Sequence, residues 1–239
     1  MALVTGAATL VVTNREGAHS APTQVAEAQI DHEVSTLLAG IPQHGNTLGQ
    51  PTAPFTLEIF ADLECLTAKN WVVLLLPAII QDFVRTDILQ IQYRSLETDT
   101  LRSTVFVGQQ TAALAAGMQK KMWNFIEIFY HEQKQEYTDY VTADYLDNIA
   151  DQIPGLVLAQ WNQDRSIRLA RQVVADNNTA RQLGFRGTPS FLIGRTGGRM
   201  EKLGGRRVVI DILDKLTSRR LEIYLIEPED IAEALKRLP

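Results

Sequence analysis

A strand, a long helix and a second strand are predicted in succession between residues 55 and 93. Phe55–Phe60 is an apolar stretch of strand length, Leu66–Arg85 has the length and apolar content of a helix, and Ile88–Tyr93 is again strand-like. Pro77 lacks a backbone donor, so the helix should be kinked there. The uncharged part of this helix is short and contains proline, which favours a buried helix over a membrane span. Two strands joined by one helix form a right-handed parallel crossover.

The rest of the chain adds a helical block and a second group of strands. Residues 24–39 have helical spacing, and a long stretch of helical pattern follows the second strand. Its predicted helices are Ser103–Met118, Lys120–Glu132, Thr142–Gln152 and Leu156–Leu183. Beyond Gly184 the pattern predicts a strand at Ser190–Ile193, an amphipathic helix over 208–216, a strand at Leu221–Ile226 and a last helix from Pro228 to Leu238.

This order predicts the α/β class, with a mixed sheet, helices on both faces and a helical subdomain inserted in the middle. The last strands are expected to form an antiparallel hairpin beside the parallel pair. The predicted division is a tether at 1–23, the first part of the sheet domain at 24–102, the inserted helices at 103–183 and the second part of the sheet domain at 184–239.

The charge balance argues against one broad class of function. The chain has 239 residues and a formal net charge of −5, whereas a general nucleic-acid binder needs a basic surface. Acidic residues concentrate between Glu127 and Asp151, and arginines between Arg181 and Arg220. Both stretches are interpreted as solvated faces.

The first residues are ambiguous. Residues 2–12 are apolar but too short for a membrane span, which takes about 20 residues. They lack the basic leader and the cleavage pattern of an intact signal peptide. A remnant of a membrane anchor, a tether and an edge strand all stay open, and residues 13–23 are interpreted as a linker.

The single cysteine, Cys65, lies between the first strand and the long helix. Unpaired backbone N–H groups and the positive end of the helix dipole favour a thiolate at such a position, and the thiolate is the reactive form. We therefore predict a pKa for Cys65 below that of a free cysteine. Nearby charges could tune it: Glu64 would raise the pKa, whereas Lys69 and above all Arg186 would lower it.

A second informative stretch is Gly184–Phe191, which contains Thr188-Pro189 directly before a strand. Proline lacks a donor for the strand ladder, so it belongs at a strand start. It is also the residue for which a cis peptide bond costs little. A cis Thr188–Pro189 bond would expose backbone N–H and C=O groups to whatever the loop faces.

Together the two motifs resemble the thioredoxin superfamily, specifically the DsbA-like thiol–disulfide oxidoreductases of bacteria. The resemblance rests on the entry Leu48–Pro54, the strand leading to Cys65, the helix with Pro77, and Gly187–Phe191. It implies a thioredoxin-like fold in which Cys65 is the attacking thiol and Thr188 and Pro189 form the catalytic loop opposite. It also implies substrate contacts from the flanking positions, which are Leu66, Thr67, Ala68, Arg186 and Gly187.

The chain departs from the family pattern Cys-Pro-x-Cys. It has Cys65-Leu66-Thr67-Ala68, so the proline and the second cysteine are both missing. A lone thiolate can form a mixed disulfide but has no neighbour to resolve it. The main hypothesis is therefore thiol–disulfide exchange by a single cysteine, and whether Ala68 is natural or an engineered replacement stays open.

The resemblance further implies protein or peptide thiols and disulfides as substrates, an extracytoplasmic location in the periplasm or cell envelope, and no cofactor. A membrane redox partner, and glutathione or another small thiol as co-substrate, stay open. Two alternatives remain: a thioredoxin-fold protein that binds peptides without chemistry, and a glutathione transferase of the kappa-class type.

Other chemistries have weaker support in the sequence. The four histidines show no spacing that gathers them with Cys65, so no metal site is expected. Gly194–Gly198 is interpreted as a hairpin turn, since it lacks the rest of a phosphate-binding loop. No nucleophile-elbow motif of a serine hydrolase is present.

Overall fold

The structure, a computed structural model, describes residues 21–213 and 218–238, with side chains for 28–205 and 226–238. Six strands form one mixed sheet in the spatial order β1-β2-β4-β3-β5-β6. They are β1 Gln43–His44, β2 Thr47–Leu48, β3 Phe55–Ala61, β4 Leu89–Ser95, β5 Ser190–Arg195 and β6 Met200–Leu203. The predicted class, a thioredoxin-like mixed sheet with an inserted helical block, is confirmed. Residues 1–20 of the predicted tether lie outside the described residues, and the first helix, α1, spans Ala21–Leu38.

The predicted strand–helix–strand unit forms the centre of the sheet. β3 and β4 pair in parallel from Phe55 opposite Leu89 to Ala61 opposite Ser95. The connecting helix, α2, spans Leu66–Val84, and its apolar face is buried against the sheet. It is long and apolar enough to cross a membrane by length and composition alone, but the burial of this face agrees with the prediction of a core helix.

Pro77 disturbs α2 as expected. Proline has no N–H to donate to the carbonyl four residues earlier, and the turn before it is π-helical over Trp71–Leu75. The N–H of Leu76 there donates to the carbonyl of Trp71, five residues back, so the helix widens next to the missing donor.

Five helices lie between β4 and β5, in the predicted helical block: α3 Ser103–Met118, α4 Met122–His131, α5 Ala143–Asp151, α6 Leu158–Asp164 and α7 Ile167–Gln182. Thr142 caps α5 by accepting a hydrogen bond from the N–H of Tyr145 at 3.1 Å. The single helix predicted over Leu156–Leu183 is wrong. The chain leaves the helical conformation at Arg165 and starts again after Ser166, which has extended backbone angles.

The last part of the chain differs from the prediction in its strand pairing. β5 pairs antiparallel with β3, and its hairpin partner is β6, reached through the tight turn predicted at Gly194–Gly198. The helix predicted over 208–216 is wrong for 208–213; Leu216 lies outside the described residues. Instead, β7 Arg206–Leu213 pairs antiparallel with β8 Ser218–Leu225 in a separate hairpin. The run Val208-Val209-Ile210 is β-branched, which favours a strand over a helix.

The final helix, α8 Pro228–Arg237, begins as predicted. Glu227 and Asp230 form a capping box at its start, and Ile231 and Ala234 are buried. Just before it, the carbonyl of Ile226 accepts a hydrogen bond from the indole Nε1 of Trp71 in α2 at 2.9 Å. This bond ties the end of the chain to the helix that follows Cys65.

Candidate active site

Cys65 is the residue at which the first central strand turns into the long helix. β3 ends at Ala61, and α2 begins at Leu66 with Cys65 as its N-cap residue in an extended conformation. The N–H of Cys65 donates to the carbonyl of Asp62 at 3.1 Å, and its own carbonyl accepts from Lys69 at 3.0 Å. The thiol therefore lies at the helix N-terminus, as the sequence predicts.

The buried carboxylate of Asp62 holds this turn against the loop after β4. Its Oδ2 accepts three consecutive backbone N–H groups, from Thr98, Asp99 and Thr100, at 2.9, 3.0 and 3.1 Å. Its Oδ1 accepts from the hydroxyl of Thr100 at 2.6 Å and the N–H of Glu64 at 3.1 Å. Asp62 is fully buried, so these bonds fix the position of the residues on both sides of Cys65.

The Thr188–Pro189 loop meets Cys65 across the site. The Thr188–Pro189 peptide bond is cis. The Sγ of Cys65 lies 3.4 Å from the carbonyl oxygen of Thr188 and donates to it. The hydroxyl of Thr188 shares a hydrogen bond of 2.7 Å with the hydroxyl of Thr98. The predicted convergence of the two motifs is confirmed.

The thiol of Cys65 is buried and protonated, contrary to the prediction. Its residue is 5% exposed, and burial raises the pKa of Cys65 to about 12. The negative charge of Asp99 adds to the rise, whereas hydrogen bonds with Thr188 and the backbone of Ala68 act in the opposite direction. The expectation of a pKa below that of a free cysteine is wrong, because desolvation and a neighbouring carboxylate outweigh the helix N-terminus.

Two carboxylates beside the thiol were missed by the sequence analysis. The Sγ of Cys65 and a carboxylate oxygen of each of Asp99 and Glu136 all lie within 4.8 Å of one another. Glu136 accepts a hydrogen bond from the N–H of Leu66, and Asp99 accepts one from the hydroxyl of Tyr137 at 2.6 Å. Glu136 belongs to the acidic stretch interpreted as a solvated face. That interpretation is wrong at Glu136, which is bonded to the turn at Cys65, and at Glu127, which is fully buried.

Glu136 is carried by an irregular loop between α4 and α5. Tyr137 and Asp139 in this loop have left-handed backbone conformations, with φ of 61° and 52°. A side chain at the start of this loop bonds it to the turn at Cys65: the amide of Gln133 donates to the carbonyl of Leu63 at 2.8 Å. The helical insertion thus contributes directly to the surroundings of the thiol.

The three residues expected to tune the thiol occupy different surroundings. Glu64 is 1% exposed, and burial together with the charge of Asp62 raises the pKa of Glu64 to about 7. Lys69 is half-buried, and its Nζ lies 3.4 Å from the carbonyl of Gln133. Arg186 is exposed and donates to the carbonyl of its neighbour Phe185 at 3.4 Å. The carboxylate of Asp99, which was not considered, is the charge with the largest effect on Cys65.

The predicted substrate-binding positions fall into two groups. Leu66 is 38% exposed, Thr67 is partly exposed and Gly187 is exposed, so all three are accessible next to Cys65. Ala68 is fully buried, so the prediction of a substrate contact by its side chain is wrong. Ala68 lies one helical turn after Cys65 and therefore points inward.

Two further exposed apolar side chains belong to the loops that pack against the turn at Cys65, at positions that the sequence analysis did not single out. Leu101 is 54% exposed and Tyr137 is 55% exposed. Leu101 directly follows Thr100, which is bonded to Asp62, and Tyr137 is bonded to Asp99. Leu66, which follows Cys65 in the chain, and Tyr137 therefore provide apolar surface near the thiol.

The βαβ unit, the cis proline and the thiol at the helix N-terminus define a thioredoxin-fold protein with a single active-site cysteine. A family model described as thioredoxin matches residues 43–200. The chain belongs to this family.

Individual relatives agree with this assignment. A probable disulfide bond formation protein D from Bacillus anthracis is 24% identical over 156 residues, which cover 62% of this chain and 68% of that protein. The structure of oxidised BdbD from Bacillus subtilis superposes with a TM-score of 0.60 at 16% identity, covering 84% of this chain and 96% of that one. Wolbachia pipientis α-DsbA1 has a TM-score of 0.58 at 17% identity, with coverage of 84% and 91%. These structural similarities show a shared fold.

Proposed function

We propose that the protein carries out thiol–disulfide exchange with Cys65 as its single attacking thiol. The observation that carries this proposal is the 3.4 Å approach of the Cys65 sulfur to the Thr188 carbonyl beside the cis proline. The name of the Bacillus anthracis relative, a disulfide bond formation protein, and the structural similarity to BdbD and DsbA proteins support it.

The exchange follows from the chemistry of one thiol. The Cys65 thiol loses its proton, and its sulfur bonds to one sulfur of the substrate disulfide. The substrate's S–S bond breaks, and the second sulfur leaves as a thiolate that takes up a proton. The product is a mixed disulfide on Cys65. Since Ala68 stands where a resolving cysteine would be, release requires an external thiol, such as glutathione, or another cysteine of the substrate.

Proteins and peptides are the proposed substrates. The exposed main chain at Gly187, next to the Thr188 carbonyl that Cys65 contacts, offers groups to an extended substrate segment. Exposed apolar surface at Leu66, Leu101 and Tyr137 adds contacts for its side chains. We further propose an extracytoplasmic location, where disulfides persist, and a membrane redox partner whose thiol releases the mixed disulfide from Cys65.

A second candidate function is peptide binding without thiol chemistry. It is favoured by one observation, the burial of Cys65 together with its high pKa of about 12, because a buried protonated thiol reacts slowly. The two candidates differ in their dependence on sulfur. Cys65→Ser would leave peptide binding intact under the second candidate and would abolish exchange under the first.

The test is the reaction of the folded protein with bis(2-hydroxyethyl) disulfide, a small neutral substrate. Exchange predicts stoichiometric loss of the Cys65 thiol, appearance of one 2-mercaptoethanol per chain and reversal by dithiothreitol. Cys65→Ser serves as the control that releases no thiol. A folded protein that keeps its free thiol while the denatured chain reacts would refute the proposal and leave the binding function.

A further inference from the structure

The charges around the Cys65 thiol are predominantly negative. Asp99 and Glu136 place carboxylate oxygens within 4.8 Å of one another and of the sulfur. Glu64, adjacent to Cys65 in the chain, has a buried Oε1 with no hydrogen-bond partner among the residues that the structure describes. Burial and the charge of Asp62 raise the pKa of Glu64 to about 7, and the charges of Asp139 and Asp99 add to the rise. A substrate disulfide that reaches the sulfur must therefore come close to the carboxylates of Asp99 and Glu136.

The nearby cations do not neutralise these carboxylates. Arg102 is already paired with Asp139 at 2.9 Å, and Lys69 is directed to the carbonyl of Gln133. Within the part of the chain that the structure describes, neither Asp99 nor Glu136 forms an ion pair with a lysine or arginine. Their hydrogen bonds come from uncharged donors: Tyr137 and Thr98 for Asp99, and the N–H of Leu66 for Glu136.

We propose that these carboxylates select the substrate: Cys65 exchanges preferentially with disulfides in cationic segments, flanked by lysine or arginine, and discriminates against anionic disulfides such as glutathione disulfide. This inference rests on the proposed thiol–disulfide exchange. A cleft lined by one sign of charge raises the local concentration of the opposite sign and the rate of encounter. Leu66, which follows Cys65 in the chain, and Tyr137, which is bonded to Asp99, are exposed apolar side chains near the same sulfur, so a segment with both cationic and apolar side chains fits this surface.

The experiment compares three small disulfides of similar size: cystamine, bis(2-hydroxyethyl) disulfide and 3,3′-dithiodipropionate, which are cationic, neutral and anionic. Rate constants are measured for native protein and for the urea-denatured chain, and their ratio removes the intrinsic reactivity of each disulfide. A chelator is present throughout so that no divalent ion screens the carboxylates. The native protein should prefer cystamine over the anion roughly tenfold or more at low salt. The preference should largely disappear near 1 M salt, where screening acts over about 3 Å.

Variants identify the charges responsible. Asp99→Asn combined with Glu136→Gln should reduce the preference several-fold, whereas the matched pair Asp151→Asn and Glu201→Gln, two exposed carboxylates, should leave it unchanged. A symmetrical disulfide of a lysine-flanked cysteine peptide should likewise react faster than its glutamate-flanked counterpart.

Each outcome is decisive for one of the two claims. A native preference equal to that of the denatured chain, or one insensitive to salt, overturns the inference even if the variants do not fold. A preference retained in the folded Asp99→Asn, Glu136→Gln protein overturns it as well. Failure of the neutral disulfide to react with the native protein overturns the exchange function itself, and the inference with it.

Discussion

The sulfur of Cys65 lies 3.4 Å from the carbonyl oxygen of Thr188, a residue 123 positions later in the chain. Asp62 fixes the turn on one side of this contact, and the hydrogen bond between Thr98 and Thr188 connects the loop on the other side to the same network. The approach is therefore held by buried polar contacts on both segments, which is what exchange chemistry requires of a site that must position a substrate backbone next to a sulfur.

The first prediction concerns the pH dependence of thiol reactivity. With a pKa of about 12, the thiolate fraction of Cys65 should rise roughly tenfold per pH unit from pH 7 to 10, because only the thiolate reacts. Iodoacetamide alkylation of the folded protein, followed by mass spectrometry, measures this slope. The denatured chain is the control, and its alkylation rate should level off above the ordinary pKa of a cysteine, about 8.5. A plateau of the folded protein below pH 9 would contradict the account.

The second prediction concerns the network around Asp62. Asp62→Ala leaves three backbone N–H groups of the Thr98–Thr100 loop without their acceptor. Hydrogen bonds to a charged group contribute about 1.5–3 kcal/mol each, so the free energy of unfolding should fall by at least about 3 kcal/mol in urea titrations.

The control for this prediction is Asp139→Asn, which removes the exposed ion pair with Arg102 and keeps a side chain that tolerates left-handed backbone. Exposed ion pairs contribute about 0–1 kcal/mol, so this variant should lose no more than that. Similar losses for the two variants would show that Asp62 has no special structural role.

The parts of the fold that were predicted correctly have local signals in the sequence. The strand–helix–strand unit, the disturbance of the helix at Pro77 and the contact between Cys65 and Thr188-Pro189 all follow from residue types at fixed positions. The helix predicted over 208–216 is wrong for 208–213, because the apolar spacing there fits a helical face while the β-branched residues fit a strand. The break at Arg165 was not predicted, because the apolar pattern of a helix continues through this position.

The charge environment of Cys65 could not be read from the sequence. Asp99 and Glu136 are far from Cys65 along the chain and reach it through the loop after β4 and the loop between α4 and α5. The sequence shows the helix N-terminus, which lowers the pKa of a thiol, but not the burial and the carboxylates that raise it. Tertiary packing therefore decided the sign of the pKa shift.

The third prediction restores a second cysteine. Ala68 is buried one turn after Cys65 on the same face of α2, so Ala68→Cys should form an intramolecular disulfide with Cys65 when oxidised. Mixed disulfides on Cys65 should then be released without added thiol, as seen by mass spectrometry. The matched control is Leu74→Cys, at an exposed position on the same helix. Residue 74 lies about 13 Å from Cys65 along the helix axis, which is too far for a disulfide. Persistent mixed disulfides in Ala68→Cys would contradict the assigned geometry.

The fourth prediction concerns Glu127 in α4, which is fully buried and, among the residues that the structure describes, has no hydrogen-bond partner for either carboxylate oxygen. Burial raises the pKa of Glu127 from 4.5 to about 8. The folded state therefore binds the proton of Glu127 more tightly than the unfolded state does. The stabilisation of the folded state by this proton is fully present below pH 4.5 and is lost as the pH rises through about 8.

Glu127→Gln should therefore match the parent protein near pH 5 and exceed its free energy of unfolding by roughly 2–4 kcal/mol at pH 9. Urea titrations at both pH values measure this difference. Glu201→Gln, at an exposed site, is the control and should show no pH-dependent gain. Equal free energies of unfolding for Glu127→Gln and the parent at pH 9 would show that ionisation of Glu127 does not destabilise the folded protein.

The central claim is that Cys65 captures a substrate disulfide in the folded protein. Its most direct test is the intact mass of the native protein after incubation with a symmetrical cysteine-peptide disulfide at pH 8, followed by proteolytic mapping. The account predicts one peptide attached at Cys65, removable by dithiothreitol and absent from Cys65→Ser. An unmodified native protein, under conditions in which the denatured chain acquires the peptide, would contradict it.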